Sequence, residues 1–201
     1  MALKQWKIDA THSSITFLVR HMLVSRIHGS FARWSGDVRF SEAIPAAASV
    51  TALIEAASID TREPKRDAHL RSGDFLDVER FPFIDFRSTS VETFHGGGGR
   101  NFVVTGDFTM RGVTREVQLE VEYGGRVRDP SGAERIGFTA RGTISRKAYG
   151  ITFNQVLESG GLALGDKLEL RFDISAVEVA RASSLGGGAE VGRRQAAIAY
   201  V

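Results

Sequence analysis

Apolar and polar residues alternate with a period of two along most of the first 179 positions. Trp6-Lys7-Ile8-Asp9, Ile15-Thr16-Phe17-Leu18-Val19-Arg20, Trp34-Ser35-Gly36-Asp37-Val38-Arg39-Phe40 and Leu168-Glu169-Leu170-Arg171-Phe172-Asp173-Ile174 show it most cleanly. Successive side chains on a strand point to opposite faces, so each stretch has one oily and one wetted side. The pattern predicts strands at about 5–9, 14–22, 31–40 (entered through His28-Gly29-Ser30), 48–57, 83–95, 101–111, 113–123, 134–146 and 166–179. A chain of such strands buries its oily faces by closing on itself. The expected fold is all-β, an antiparallel eight-stranded barrel. In the strand at 48–57, Leu53 falls on the outer face.

One segment departs from this pattern. Asp60-Thr61-Arg62-Glu63-Pro64-Lys65-Arg66-Asp67-Ala68-His69-Leu70 reads as a short helix, with Thr61 as its cap and Pro64 in its first turn. With the turn around Gly73-Asp74-Phe75-Leu76 it forms a helical lid or plug over 60–81. Phe75, Leu76, Phe81 and Phe83 are expected to stop one barrel end. Met110-Arg111-Gly112-Val113 and Asp129-Pro130-Ser131-Gly132 mark turns, and Gly96-Gly97-Gly98-Gly99 a hairpin tip. The stretch 147–165 is irregular and glycine-rich. The predicted domain spans 1–180, and 181–201, with Gly186-Gly187-Gly188, reads as a flexible tail.

Alternation turns large side chains inward: Phe17, Val19, His21, Trp34, Val38, Phe40, Ile54, Ile84, Phe86, Val104, Phe108, Val117, Leu119, Val121, Phe138, Leu170 and Phe172. Small ones share those strands: Gly36, Ala52, Ala56, Ser88, Gly106, Ala140 and Gly142. Small beside large leaves a channel or interlocks into a solid core, and the pattern permits both.

Composition narrows the chemistry. There is no cysteine among the 201 residues, which excludes disulfides, thiolate metal sites and cysteine nucleophiles. Net charge is +2, with both signs interspersed and no dense basic stripe, so nucleic acid is not an expected partner. No run is long and apolar enough for a membrane-spanning helix, and the N-terminus has no secretion-signal core, so the expected location is cytoplasmic. No Gly-x-Ser-x-Gly elbow or phosphate loop occurs, and no catalytic residue is assigned. His12, His21 and His69 with Asp9, Asp60 and Asp67 raise the alternative of a metal-assisted enzyme acting on a small apolar substrate. Their spacing gives that little support: His12 and His21 lie nine apart, and Asp67 and His69 sit two apart on a helix. No metal ligand is assigned. The competing readings are a hydrogen-bonded plug, in which Arg66 and Asp67 brace the helix, and a polar ligand head meeting His21.

Several strings, in order, resemble the YceI-like family: Trp6-Lys7-Ile8-Asp9 with His12-Ser13 and Phe17-Leu18-Val19-Arg20-His21; Gly29-Ser30-Phe31; Ser58-Ile59-Asp60-Thr61; Arg66-Asp67-Ala68-His69-Leu70; Phe81-Pro82 with Phe86-Arg87-Ser88; Gly106-Asp107-Phe108-Thr109 with Gly112-Val113-Thr114; and Gly160-Gly161-Leu162-Ala163-Leu164-Gly165-Asp166. The resemblance spans about residues 5–179. It implies a lipocalin-like barrel with an apolar tunnel that binds an isoprenoid lipid, a polyprenyl chain or the tail of an isoprenoid quinone, and functions without catalysis or a required cofactor. The inward residues then become the candidate ligand-binding set. The family is commonly dimeric, and Leu18, Met22 and Leu53 are the outward apolar positions that would support a homodimer. Its members are often secreted; this chain departs by lacking a signal and by its tail after residue 180.

Overall fold

The computed structural model describes residues 2–22, 24–93, 100–156 and 162–179. Among them are eleven strands: β1 (Lys4–Ile8), β2 (Ser14–His21), β3 (Ser25–Phe31), β4 (Trp34–Phe40), β5 (Ser49–Glu55), β6 (Ile59–Asp60), β7 (Phe83–Thr93), β8 (Asn101–Met110), β9 (Val113–Arg128), β10 (Glu134–Ser145) and β11 (Leu164–Glu178), with one helix, α1 (Pro64–Arg71). The ring β1-β4-β5-β7-β8-β9-β10-β11 closes by pairing of β1 with β11. It is a closed antiparallel eight-stranded barrel. β2, β3 and β6 continue the sheet beside β11.

The eleven segments reduce to eight because three strands are broken in mid-course. A 3-10 turn at Ala10–His12 separates β1 from β2, residues 32–33 separate β3 from β4, and a 3-10 turn at Ala56–Ser58 separates β5 from β6. As a result β11 pairs with β1 through Ala176–Glu178 and with β2 through Leu164–Asp173. Asp9 makes the first break possible. Its carboxylate accepts from the Thr11 N–H and caps the 3-10 turn.

Strand β3 was not expected over its full length. The expected strand begins at 31 with His28-Gly29-Ser30 as its entry, yet Ser25 to Ser30 pair with β2. Gly29 has a packing reason: a Cβ there would lie 2.2 Å from the Phe17 ring, which fills its place. Gly36 is filled by Ile8, Gly106 by Phe86 and Gly142 by Leu119 in the same way. These glycines therefore do not widen the interior, as a channel built from small positions would require. They admit large neighbours. At Gly106 an added Cβ would meet the Arg87 carbonyl at 2.5 Å, and backbone cannot yield cheaply. Gly106→Ala is expected to cost about 2 kcal/mol or more in urea unfolding.

Turn chemistry agrees with expectation at two places. Arg111 and Gly112 both have positive φ, as a two-residue hairpin of matching twist demands. The Arg111 guanidinium donates to the carbonyls of Gly150 (2.8 Å) and Gly73 (2.7 Å), tying that turn to neighbouring loops. Asp129 accepts from Ser131 and the Ala133 N–H. β9 runs on to Arg128, past the expected end at 123, through an irregularity at Gly124–Gly125. The hairpin tip 96–99 and the tail 181–201 lie outside the described residues.

One polar network fastens the broken strand. Arg135 donates to Asp9 (2.7 Å) and Asp129 (2.7 Å), and His12 sits 2.7 Å from Asp9. The Arg135 hydrogen bond, with that of His12, holds the Asp9 carboxyl well below the usual carboxylate range; Ser131 and then Arg135 do the same for Asp129. A depressed folded-state pKa contributes stability that is complete above the unfolded value and is lost as pH falls. Melting temperature is thus expected to decline below about pH 5, more steeply than in an Asp9→Asn, Asp129→Asn double variant. A pH series of thermal melts checks this.

Candidate functional site

Two apolar chambers lie inside the barrel, of about 260 and 120 Å³. Their order follows the strands. Along β11, Leu164 and Leu168 line the first, Leu170 and Phe172 line both, and Ile174 lines the second. Along the broken first strand, Ile8 belongs to the second chamber, Ile15 to both, and Phe17, Val19 and His21 to the first. The chambers therefore sit end to end, with Ile15, Ile54, Phe108, Leu170 and Phe172 at their junction. Together they exceed the roughly 300 Å³ at which small-molecule sites begin. The interior is not packed solid. Phe17, Trp34, Ala52, Val121, Phe138 and Phe172 pack against the core yet remain only partly buried, because they face the void.

The inward residues expected from alternation all line this space. Phe17, Val19, His21 and Ile84 stand on the first chamber; Trp34, Val38, Phe40, Phe86, Val104, Val117, Leu119, Val121 and Phe138 on the second; Ile54, Phe108, Leu170 and Phe172 on both. Of the small residues, Ala52 and Ala140 reach the second chamber, while Ala56 is fully buried and Ser88 accepts from the Val50 N–H.

The two ends differ. On the wall of the second chamber, Phe40 packs on Tyr123 (5.0 Å between centroids), Phe138 (5.2 Å) and Phe102 (6.3 Å). The Tyr123 hydroxyl donates to Glu42; burial and that bond push its pKa up, so it stays a phenol. At the other end, polar groups surround the first chamber: His21, Arg66, His69, Arg146, Asn154 and Gln155. Most are occupied. Arg66 donates to the hydroxyl and carbonyl of Thr61, and Asp67 accepts from the Thr61 N–H and hydroxyl, so both brace α1 against β6. His69 lies 2.8 Å from Asp74, and its ring meets Phe75 and Phe153 edge-on. The Asn154 amide is spent on both backbone groups of Leu164. Among the described residues, the side chains of His21 and Gln155 make no hydrogen bond and remain available at the chamber wall.

Several expectations need correction here. The helix cap is Glu63, which accepts from the Lys65 and Arg66 N–H groups; Thr61 serves Asp67 instead. Phe75 and Leu76 line the first chamber, but Phe83 is 49% exposed on the outer wall because Ile84 takes the inward position. Leu18 points away from the lumen yet is 3% exposed, so it offers no contact surface; Met22 and Leu53 are exposed. The three histidines are not brought together: His12 pairs outside with Asp9, and among the described residues no group of three His, Asp or Glu is placed to hold a metal.

Sequence reasoning missed Arg146. It is 2% exposed and donates to four carbonyls, those of Gly165 (2.9 Å), Ile151 (3.0 Å), Phe153 (2.7 Å) and Leu164 (3.4 Å). Burial lowers its pKa, and the nearby Asp166 charge raises it. It fastens the irregular segment 146–156 to β11, and so builds one wall of the first chamber. A lone arginine in an irregular stretch gives no signal of this in the sequence.

A family model for the YceI-like domain matches residues 6–176. The chain belongs to the YceI-like family. It is 37% identical over 179 residues to the UPF0312 protein SAB2563 of Staphylococcus aureus, covering 87% of this chain and 96% of that one. Its fold resembles Burkholderia cenocepacia BcnA, with a TM-score of 0.72 at 21% identity, covering 84% of this chain and 98% of BcnA. It also resembles a polyisoprenoid binding domain from Saccharophagus degradans, with a TM-score of 0.61 at 16% identity over 87% of this chain and 98% of that one. Among the described residues no helix is long and apolar enough to cross a membrane.

Proposed function

We propose that this YceI-like barrel binds an isoprenoid lipid, a polyprenyl chain or an isoprenoid quinone, and acts as a carrier or store rather than an enzyme. The observation that carries the reading is the pair of apolar chambers set end to end. Each buried CH₂ is worth about 0.8 kcal/mol, so a five-carbon unit contributes roughly 3–4 kcal/mol before the cost of ordering a flexible tail. A lumen with aromatic walls, whose Arg66 and Arg146 are turned to hydroxyl and carbonyl oxygens of the fold, suits such a tail. The likeness in fold to the Saccharophagus domain supports the same reading.

The tail would run from the first chamber into the second, leaving the polar head beside His21. Extraction of the purified protein with organic solvent, followed by mass spectrometry, should release a prenyl lipid. Absence of such a lipid, together with no binding of added polyprenol, would overturn the proposal. His21→Ala is expected to weaken quinone binding about tenfold, the worth of one hydrogen bond, and to leave a plain polyprenyl hydrocarbon unchanged. Equal losses for both in a fluorescence titration would reduce His21 to packing.

A further inference from the structure

The rim where the first chamber meets His21 carries two features that the fold does not use. The turn between β2 and β3 presents Met22, 45% exposed, and Val24, 89% exposed. Hairpin turns favour Gly, Asn and Asp, and Met22 sits at φ 51°, a left-handed conformation that strains a large apolar side chain. Beside it, Val156 and Leu162 face each other across an isolated bridge and are 79% and 45% exposed. The Met22 N–H donates to the Ala163 carbonyl at 2.7 Å, which fixes the two sites side by side. Single exposed apolar residues need no explanation, but four gathered beside a cavity do. The chain neighbours of Met22, Val156 and Leu162, namely His21, Gln155 and Ala163, line the first chamber.

The second feature is charge. Arg20 and Arg26 stand directly opposite each other across β2 and β3, both exposed. Like charges in that position repel, and among the described residues neither belongs to an ion pair. Lys167 is exposed on β11, where the pairing with β2 becomes irregular between Leu164 and Leu168. The carboxylate of that stretch, Asp166, is occupied by the Ser145 hydroxyl and the Lys147 N–H.

We propose that this rim docks on an anionic lipid surface. Met22, Val24, Val156 and Leu162 enter the boundary between head groups and acyl chains, while Arg20 and Arg26 engage lipid phosphates. A hydrocarbon tail then passes between bilayer and first chamber without crossing water. A second copy of the chain fits the rim less well: a symmetric contact would bring the arginine pairs of both copies together. This inference rests on the lipid-tail reading of the tunnel.

Flotation of the full chain with vesicles tests it, comparing equal parts phosphatidylglycerol and phosphatidylcholine with phosphatidylcholine alone. The protein should float with the anionic vesicles, and less so at about 0.5 M salt, where screening is strong. Met22→Ser with Val24→Ser, and separately Arg20→Ser with Arg26→Ser, should each lower the partition coefficient roughly tenfold or more. Melting temperature and binding of a short soluble prenyl probe should stay unchanged in both variants. No flotation of the parent chain, equal flotation with both vesicle types, or flotation unaffected by the substitutions would overturn the proposal. So would a fall in sedimenting mass on Met22→Ser with Val24→Ser without vesicle binding by the parent, which would make the rim a contact between copies. If the probe fails to bind while flotation behaves as expected, the tunnel reading fails and the docking surface stands.

Discussion

Ala140→Phe is expected to abolish the advantage of long prenyl chains over short ones. Ala140 stands opposite Val121 and Phe172 in the barrel wall, and all three line the second chamber. That chamber holds about 120 Å³, and an aromatic ring entering it leaves little room for a tail. A tail excluded from it loses at least one five-carbon unit of burial, roughly 3–4 kcal/mol gross and about a hundredfold in Kd after ordering costs. A probe of one or two units, held by the first chamber, should keep its affinity. Ala52→Met reaches the same space from β5 and supplies a second variant should the first fold poorly. Titration with a ladder of chain lengths checks both. Unchanged long-chain affinity in both would show that tails stop short of the second chamber.

Arg146→Met should produce the largest loss of stability. Methionine keeps the aliphatic stem but has no donor, so the carbonyls of Gly165, Ile151 and Phe153 lose theirs, while that of Leu164 keeps the Asn154 amide. Removing the partner of buried groups costs more than the bond itself contributes, because they were desolvated on folding. About 3–5 kcal/mol is expected, or a fall in melting temperature on the order of 10 °C. Arg146→Lys should recover only part of this, since an ammonium cannot reproduce the planar fork. Urea unfolding of the three proteins checks the order. A loss below about 1 kcal/mol for Arg146→Met would mean that the carbonyls of Gly165, Ile151 and Phe153 have other partners.

The two cases differ in how far they could be read from the chain. The lumen residues were legible because alternation is a strict local rule: once Phe172 faces inward, so do Leu170 and Ile174. Helix α1 was legible from Pro64 and its run of polar residues, but its cap was not. Thr61 and Glu63 both suit a cap by composition, and Asp67 decided between them by claiming the Thr61 N–H and hydroxyl. Phe83 was misread because phenylalanines close in sequence look like one cluster, whereas neighbours on a strand face opposite ways. β3 was hidden because His28-Gly29-Ser30 reads as the entry to a strand at 31, until the Phe17 ring is seen over Gly29.

By itself, then, the sequence determined the barrel, its strand directions and the part of its lining that alternation places, since period-two patterning and turn chemistry act between residues near in the chain. It left open whether the interior was solid. That depended on which small positions were occupied by large neighbours from other strands. Ile8 fills Gly36, Phe86 fills Gly106 and Leu119 fills Gly142, while nothing comparable fills the space before Ala52 and Ala140. Only the closed sheet brings those side chains together, because void space is a property of packing between strands distant in sequence.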